Sequence, residues 1–205
     1  MRFPDFQSNQ TVVQTLKAAS GGRRLSHAYL LYGSAGVGKR SLARIFAQAL
    51  LCTGEDKPCG RCAHCLKFEH GAHPDFTVVQ KPADKSFLVV DQIRALREEI
   101  FIRPNEADRR VVLIENAEQM NPSAANALLK VLEEPPSYAV FLLTANNRHL
   151  LPETIASRCV CLEILEVSLA AAEKWLAEQF PGTDPAELRR AAVYGGGNLG
   201  RSRAY

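Results

Sequence analysis

One glycine-rich segment, residues 33–40, constrains the fold of this chain more than any other part of its sequence. It follows a short apolar run at residues 28–32 and precedes residues 41–51, where apolar side chains recur at helical spacing. A phosphate-binding loop requires this order of strand, loop and helix, because backbone N–H groups and the helix N-terminus must face the phosphate. The sequence therefore predicts a nucleotide site of that origin, with a glycine turn and a surface lysine as the alternative. Its loop residues are Gly33, Gly36, Gly38 and Lys39.

Two positions depart from what nucleotide hydrolysis needs. The loop pattern G-x-x-x-x-G-K-[ST] ends in a hydroxyl that binds Mg²⁺, and Arg40 takes that place here. A second nucleotide signature is an apolar strand that ends in Asp-Glu, whereas the corresponding strand here ends in Glu115 and Asn116. An amide does not accept the proton of an attacking water. Because both the metal site and the base are affected, we expect no ATP hydrolysis and regard ATP as a doubtful ligand.

Apolar runs alternate with helical segments over residues 1–166. Strands are predicted at residues 28–32, 76–79, 109–115, 140–144 and 159–162. Helices are predicted at residues 6–19, 41–51, 90–100 and 122–134, with a helical turn at 151–157. Continuous apolar strands between helices indicate an α/β fold whose parallel sheet is covered on both faces. Further helices, predicted at residues 169–179, 184–192 and from Leu199, indicate a small helical domain over residues 167–205.

Four of the six cysteines lie in residues 52–73, a polar segment that interrupts this alternation. Thiolates two residues apart can converge from a tight turn onto one tetrahedral ion, and a fourth thiolate closes the shell. We therefore predict a structural zinc site, with His64 or His70 as an alternative ligand. An iron–sulfur cluster is disfavoured because its usual fourth ligand lies downstream. The predicted ligands are Cys52, Cys59, Cys62 and Cys65.

The other two cysteines, Cys159 and Cys161, fall in the last predicted strand. They are expected to face opposite sides of that strand and to stay outside the metal site.

The net charge of the chain is +3, a value that does not by itself support nucleic-acid binding. A zinc-bearing nucleic-acid binder is therefore a weak hypothesis. No apolar run approaches the roughly 20 residues of a membrane helix, and the first residues lack a signal-peptide core. We expect a cytoplasmic protein with no membrane partner.

Several further motifs point to one family. Residues 26–31 read Ser-His-Ala-Tyr-Leu-Leu, and residues 71–75 read Gly-Ala-His-Pro-Asp. Residues 126–136 read Asn-Ala-Leu-Leu-Lys-Val-Leu-Glu-Glu-Pro-Pro, and residues 157–159 read Ser-Arg-Cys. Together with the glycine loop, these motifs resemble the clamp-loader subunits of bacterial DNA polymerase III, which belong to the AAA+ class. The resemblance covers essentially the whole chain.

The resemblance implies an architecture. It comprises an AAA+ type P-loop sheet over residues 1–166, a zinc-module insertion at residues 52–73, and a small helical lid domain at residues 167–205. We expect the lid to be truncated and the C-terminal collar domain of the family to be absent.

The resemblance also assigns residues. Arg158, in Ser-Arg-Cys, matches an arginine finger that acts on the nucleotide of a neighbouring subunit. Thr144 matches a polar sensor beside the phosphates, although a strand-end threonine bonded to the backbone is equally expected. A nucleotide-sensing arginine is expected where Gly200 stands, and Arg201 lies one residue further on.

These assignments favour a clamp-loader subunit that does not hydrolyse ATP and lends Arg158 to its neighbour. The expected partners are the gamma/tau and delta subunits, with the sliding clamp and primed DNA contacted through the assembled complex. An active gamma/tau-like ATPase is the alternative, because Lys39 and the loop glycines remain. Binding of nucleotide without turnover is a third outcome.

Overall fold

The computed structural model describes residue 3, residues 9–22 and residues 24–205. The strands are β1 (Ala28–Tyr32), β2 (Phe76–Val79), β3 (Arg110–Ile114), β4 (Ala139–Ala145) and β5 (Val160–Glu163). The helices are α1 (Gln10–Ser20), α2 (Lys39–Leu51), α3 (Ala63–Glu69), α4 (Val90–Ile100), α5 (Pro122–Glu133), α6 (Glu153–Ala156), α7 (Leu169–Gln179), α8 (Pro185–Gly195) and α9 (Leu199–Ala204). Every strand predicted from sequence is confirmed, with ends that shift by one residue at most. The prediction of helix at residues 6–8 lies outside the described residues.

The five strands form one parallel sheet in the order β2-β3-β4-β1-β5. The predicted parallel α/β fold is therefore confirmed. The carboxyl ends of β1, β3 and β4 meet at one edge, which we call the carboxyl edge. Loops at this edge of an open parallel sheet form the usual ligand crevice. The amino edge, where the strands begin, lies on the opposite side.

The central strands β1, β3 and β4 are buried on both faces, and their side chains are apolar except for Arg110 and Thr144. In β1, Tyr29 and Leu31 pack into the core under α1 and α2, whereas Ala28 and Leu30 face the core under α4, α5 and α6. Strands β3 and β4 divide their side chains between the same two cores. This double burial explains why the strand pattern is continuous rather than alternating.

Helices α7, α8 and α9 enclose a small core of their own, built on Ala172, Leu176, Ala191 and Ala192. The segment after β5 is tied to this helical unit by a hydrogen bond from the N–H of Val167 to the carbonyl of Gly197, at 2.9 Å. The division at residues 166 and 167 stays a prediction. Among the described residues, no helix combines the length and apolar character that a bilayer crossing requires.

The cysteine-rich segment contains α3, a helix that the sequence did not predict. Its seven residues are too few to show a helical repeat, and a sulfur rather than an oxygen caps an N–H group of its first turn. The Cys62 side chain accepts from the N–H of Cys65 at 3.4 Å. The helix also packs on α2, where Gln48 Nε2 donates to Glu69 Oε1 at 3.2 Å.

The expectation that Cys159 and Cys161 face opposite sides is wrong. Residues two apart on a strand share a face, and both cysteines pack against the core under α4, α5 and α6. Burial, together with the neighbouring Cys161, raises the pKa of Cys159 to about 12. These two residues are therefore packing groups, and they stay outside the cysteine cluster.

A buried carboxylate joins β2 to the loop before β3. Asp75 is fully buried and accepts hydrogen bonds from the backbone N–H groups of Asn105, Glu106 and Ala107, at 2.6, 2.9 and 2.9 Å. Its Oδ1 also lies 3.7 Å from a guanidinium nitrogen of Arg110. Burial acts to raise the pKa of Asp75, but the three N–H donors outweigh it and hold the pKa below its ordinary value of 3.8. The stabilisation is therefore complete at neutral pH and is lost as pH falls through this depressed value.

Replacing Asp75 with asparagine is expected to lower the free energy of unfolding by about 3–5 kcal/mol, because it removes one partner of a buried charged network. The amide would point N–H groups at backbone donors and leave the buried Arg110 without its carboxylate. Urea unfolding at neutral pH measures the loss. The matched control is Asp84→Asn, since the Asp84 side chain is 75% exposed and should change stability by no more than about 0.5 kcal/mol. Equal losses in the two variants would contradict the role assigned to Asp75.

Candidate functional site

A cleft of about 470 Å³ opens at the carboxyl edge of the sheet. The glycine loop between β1 and α2 forms one wall, and the residues after β3 and β4 form the other. This is where the sequence placed a nucleotide site, and most of the predicted residues line it. Gly33 and Glu115 do not line the cleft but contact the lining residues Lys39 and Arg40. The lining residues include Gly36, Gly38, Lys39, Arg40, Asn116, Thr144 and Asn146.

Lys39 lies folded back on its own loop. Its Nζ donates to the carbonyls of Gly33 and Ser34, at 2.7 and 2.8 Å, and to Asn146 Oδ1 at 3.1 Å. Burial lowers the pKa of Lys39 below its ordinary value of 10.5, and the nearby Glu118 opposes that shift. The lysine that would reach phosphates is therefore held by protein oxygens.

Arg40, which lines the cleft, forms an ion pair with Glu115 at the end of β3. Its Nε lies 2.7 Å from Glu115 Oε1, and the two side chains are 62% and 6% exposed. The contact is electrostatic rather than an aligned hydrogen bond, because Oε1 has no hydrogen-bond partner. A protein cation thus lies against the carboxylate that matches the magnesium position.

Asn116 and Thr144 contact each other at the ends of β3 and β4. The N–H of Asn116 donates to Thr144 Oγ1 at 3.0 Å, and Asn116 adopts a left-handed backbone with φ of 50°. Thr144 therefore makes the backbone contact that the sequence left open, and it also lines the cleft.

The helical unit α7–α9 packs directly onto the glycine loop. The N–H of Gly200 donates to the carbonyl of Gly36 at 2.9 Å, and Asn198 Nδ2 donates to the carbonyl of Ala35 at 2.7 Å. Gly36 has φ of 92°, and a Cβ added at Gly200 would lie 2.7 Å from the Cα of Gly36. A side chain at position 200 would therefore require the helical unit and the loop to move apart.

Arg158 lies at the amino edge of the sheet, between α6 and β5. Strand β5 has four residues, so about 13 Å of strand separates Arg158 from the carboxyl edge. Its NH1 donates to the carbonyl of Thr154 at 2.8 Å, and its NH2 lies 3.0 Å from Glu133 Oε1. The side chain is 35% exposed and does not line the cleft. Arg158 therefore lies at the end of the sheet opposite the chain's own loop.

The four clustered cysteines meet around one point. Their sulfur atoms all lie within 4.8 Å of one another, and the sulfurs of Cys52 and Cys62 are 3.9 Å apart. Sulfurs about 2.3 Å from a tetrahedral ion lie about 3.8 Å from each other, so the cluster has the dimensions to hold a metal ion. Burial acts to raise the pKa of Cys62, but the N–H groups of Cys65 and Thr53 outweigh it and lower the pKa to about 5.

His64, which lies near this cluster, contacts a second histidine, His73. His64 Nδ1 lies 2.9 Å from His73 Nε2, and His73 Nδ1 accepts from the N–H of Asp75 at 3.1 Å. His64 therefore links the cysteine segment to the buried Asp75 network. Within the described residues neither His64 nor His70 belongs to the cluster, so the four-cysteine prediction matches the grouping that the structure shows.

Sequence reasoning missed three polar residues beside these sites. Asn146 holds Lys39, Glu118 accepts from the N–H of Asn146 at 3.2 Å, and Glu133 pairs with Arg158. A signal existed for Asn146, because a polar residue directly after a buried parallel strand falls at the carboxyl edge. Glu133 also carried a signal, since a carboxylate at a helix C-terminus is electrostatically disfavoured.

The comparisons with known proteins agree on one family. A family model described as DNA polymerase III, delta subunit, matches residues 8–168. The delta-prime subunit of Pseudomonas aeruginosa DNA polymerase III is 40% identical over 188 residues, which cover 90% of this chain and 57% of that relative. The Bacillus subtilis delta-prime subunit is 39% identical over 157 residues, covering 76% and 47%. The Bacillus subtilis tau subunit is 36% identical over 160 residues, covering 77% and 28%.

Solved structures show the same fold. A gamma subunit-related protein from Thermotoga maritima superposes with a TM-score of 0.58 at 23% identity, covering 93% of this chain and 58% of that one. A point variant of Thermotoga maritima RuvB superposes with a TM-score of 0.67 at 18% identity, covering 98% and 61%. These likenesses confirm the AAA+ type fold.

The relatives named delta-prime and the family model together cover most of the described chain. This chain spans from 28% to 57% of the length of the three relatives above. The chain belongs to the family of delta-prime subunits of the bacterial DNA polymerase III clamp loader.

Proposed function

We propose that this chain is a clamp-loader subunit that does not hydrolyse ATP. The ion pair between Arg40 and Glu115 is the single observation that carries the proposal. The guanidinium already neutralises the carboxylate at the magnesium position, and Mg²⁺ would have to displace it while meeting a like charge. Asn116 adds a second loss, because its amide cannot act as the base that activates water.

The role of the chain is then to assist a neighbouring ATPase. Arg158 stands at the amino edge, too far from its own loop to act there, and presents its guanidinium at the surface. An arginine supplied by a neighbouring protein stabilises the charge that develops on the transferring phosphoryl group. We assign Arg158 this role on the nucleotide of an adjacent gamma/tau subunit.

The wider proposal follows from family membership. The partners are the gamma/tau and delta subunits, and the assembled complex loads the sliding clamp onto primed DNA. The chain acts in the cytoplasm. Residues 1–166 form the AAA+ base and residues 167–205 the lid, whose contact between Gly200 and Gly36 replaces a nucleotide-sensing side chain.

The cysteine cluster is assigned as a structural zinc site. Four thiolates around one point suit zinc, and a closed shell leaves no position for a reacting ligand. Hydrogen bonds from backbone N–H groups to the sulfurs of Cys52, Cys59 and Cys62 reduce the negative charge of such a shell. The zinc then fixes residues 52–73 against α2 rather than taking part in catalysis.

An active ATPase is the competing function, because Lys39 and the loop glycines remain. Equilibrium titration of the purified chain with a fluorescent ATP analogue, with and without Mg²⁺, separates the two. No saturable binding up to millimolar analogue supports the proposal. Tight binding that Mg²⁺ strengthens would contradict the blocking role given to the Arg40–Glu115 pair and would favour a nucleotide-regulated subunit or an ATPase.

Replacing Arg40 with threonine and Asn116 with glutamate together is expected to increase Mg²⁺-dependent analogue binding by about tenfold or more. Threonine supplies the missing hydroxyl, and the buried Glu115, now unpaired, favours a cation. The same titration measures the gain. Arg40→Ala with the same Asn116 change is the matched control, because it frees Glu115 without supplying a hydroxyl. If the threonine variant binds no better than wild type, the cleft lacks more than these two groups.

A further inference from the structure

The arginine assigned as a finger is anchored by a carboxylate. Glu133, the last residue of α5, places Oε1 3.0 Å from NH2 of Arg158, and the two side chains are 44% and 35% exposed. On the other side, NH1 donates to the carbonyl of Thr154 in α6. Two elements from different parts of the chain therefore hold one guanidinium.

Glu133 is in an unfavourable place for a residue that only completes a helix. The C-terminal end of a helix carries partial negative charge, so a carboxylate there is destabilising and a lysine or arginine is preferred. The adjacent Glu134 has the same chemistry and is exposed, but it forms no ion pair among the described residues. Pro135 and Pro136 follow at once and end the helix at this point.

The anchor leaves the guanidinium able to act. A guanidinium has five N–H donors. One on NH1 is used by Thr154 and one on NH2 by Glu133. Nε–H and one N–H on each terminal nitrogen remain for an outside ligand, in keeping with the part-exposed side chain.

We propose that Glu133 is a positioning residue that orients Arg158 toward the nucleotide of the neighbouring subunit. This inference rests on the proposed function of Arg158. A free arginine side chain samples many rotamers, and each must be lost before its donors meet the phosphoryl oxygens. The Glu133 contact restricts that freedom before the subunits meet. The conformational entropy of the side chain is then already lost before the transition state forms, and does not add to the activation free energy. The charged pair also keeps the planar guanidinium in one orientation.

The test uses a reconstituted clamp loader that contains this chain. Glu133→Ala is expected to lower kcat at the adjoining site by about tenfold, and Glu133→Gln by about threefold, since glutamine keeps one acceptor oxygen. The KM for ATP should not change, because Glu133 contacts no nucleotide. Glu134→Ala and Glu134→Gln are matched controls at the same helix end, and their kcat should equal that of wild type. Thermal unfolding of each isolated variant checks that the fold is kept.

A double-mutant cycle separates positioning from a general structural effect. In the background of Arg158→Ala, adding Glu133→Ala should cause no further loss, because the residue that Glu133 orients is gone. A further tenfold loss in that background would overturn the inference. Equal kcat values for Glu133→Ala and Glu134→Ala, together with a strongly impaired Arg158→Ala, would also overturn the inference. The proposed function of Arg158 would then hold without a positioning role for Glu133. Unimpaired hydrolysis in Arg158→Ala would instead remove the proposed function, and the inference with it.

Discussion

Replacing Arg158 with alanine is expected to slow ATP hydrolysis at the adjoining nucleotide site of an assembled clamp loader by about 10³-fold or more. The guanidinium lies at the amino edge, about 13 Å of strand away from its own loop, so the effect must appear on a neighbouring subunit. A rapid-quench measurement of the first turnover shows the loss directly. The burst should fall by about one equivalent of ATP per loader, because the other sites keep their own arginines.

Two further variants define what Arg158 supplies. Arg158→Lys keeps the charge but loses the planar fork of donors, so we expect only partial recovery of the burst. Arg189→Ala is the control, because Arg189 also pairs with a glutamate, Glu173 at 3.8 Å, but lies in α8 of the helical unit. A full burst in Arg158→Ala would show that the neighbouring site needs no arginine from this chain.

The sheet could be predicted from sequence because each strand carries its own signal. Strands β1, β3 and β4 are buried on both faces, so their apolar runs are continuous and are bounded by polar residues. The loop between β1 and α2 could also be predicted, because phosphate binding requires glycines and a lysine at fixed spacing. The family motifs then supplied Arg158, which no local pattern would distinguish from a surface arginine.

Contacts between distant parts of the chain could not be predicted in this way. Asn198 donates to the carbonyl of Ala35 across 163 residues, and Asp75 accepts from N–H groups some 30 residues further on. Neither pairing leaves a periodic trace in the sequence. Helix α3 was missed for a different reason, since four clustered cysteines and the backbone N–H groups that donate to their sulfurs organise a segment whose composition resembles a loop.

The same distinction explains the pairing of Arg40 with Glu115. Sequence alone identified each residue as a departure from the hydrolytic pattern, at positions 75 residues apart. Only the structure shows that the two departures meet at 2.7 Å and compensate each other. Because Arg40 and Glu115 already neutralise each other, binding of a nucleotide and a metal ion in this cleft is less favourable. This favours a subunit that acts through Arg158, at the amino edge of the sheet.

Replacing Cys65 with serine is expected to reduce the zinc content of the purified chain from about one ion to a small fraction of one, because a closed four-thiolate shell loses a ligand. Cys65 is fully buried, and its carbonyl accepts from Gln48 Nε2 of α2 at 3.4 Å. The binding free energy of zinc in small zinc modules is about 10–16 kcal/mol, and much of it goes into folding the segment. We therefore expect rapid hydrogen exchange across residues 52–73 in the variant.

Cys161→Ser provides the matched control for that experiment. Cys161 lies outside the cluster, and its thiol donates to the carbonyl of Ala156 at 3.4 Å, a contact that a hydroxyl can keep. This variant should retain zinc and normal hydrogen exchange in residues 52–73, as measured by elemental analysis and mass spectrometry. Zinc retained in Cys65→Ser would exclude that thiol as a ligand. If native protein holds no zinc and a chelator leaves exchange unchanged, the hydrogen bonds to sulfur organise the segment without a metal, and the zinc assignment is wrong.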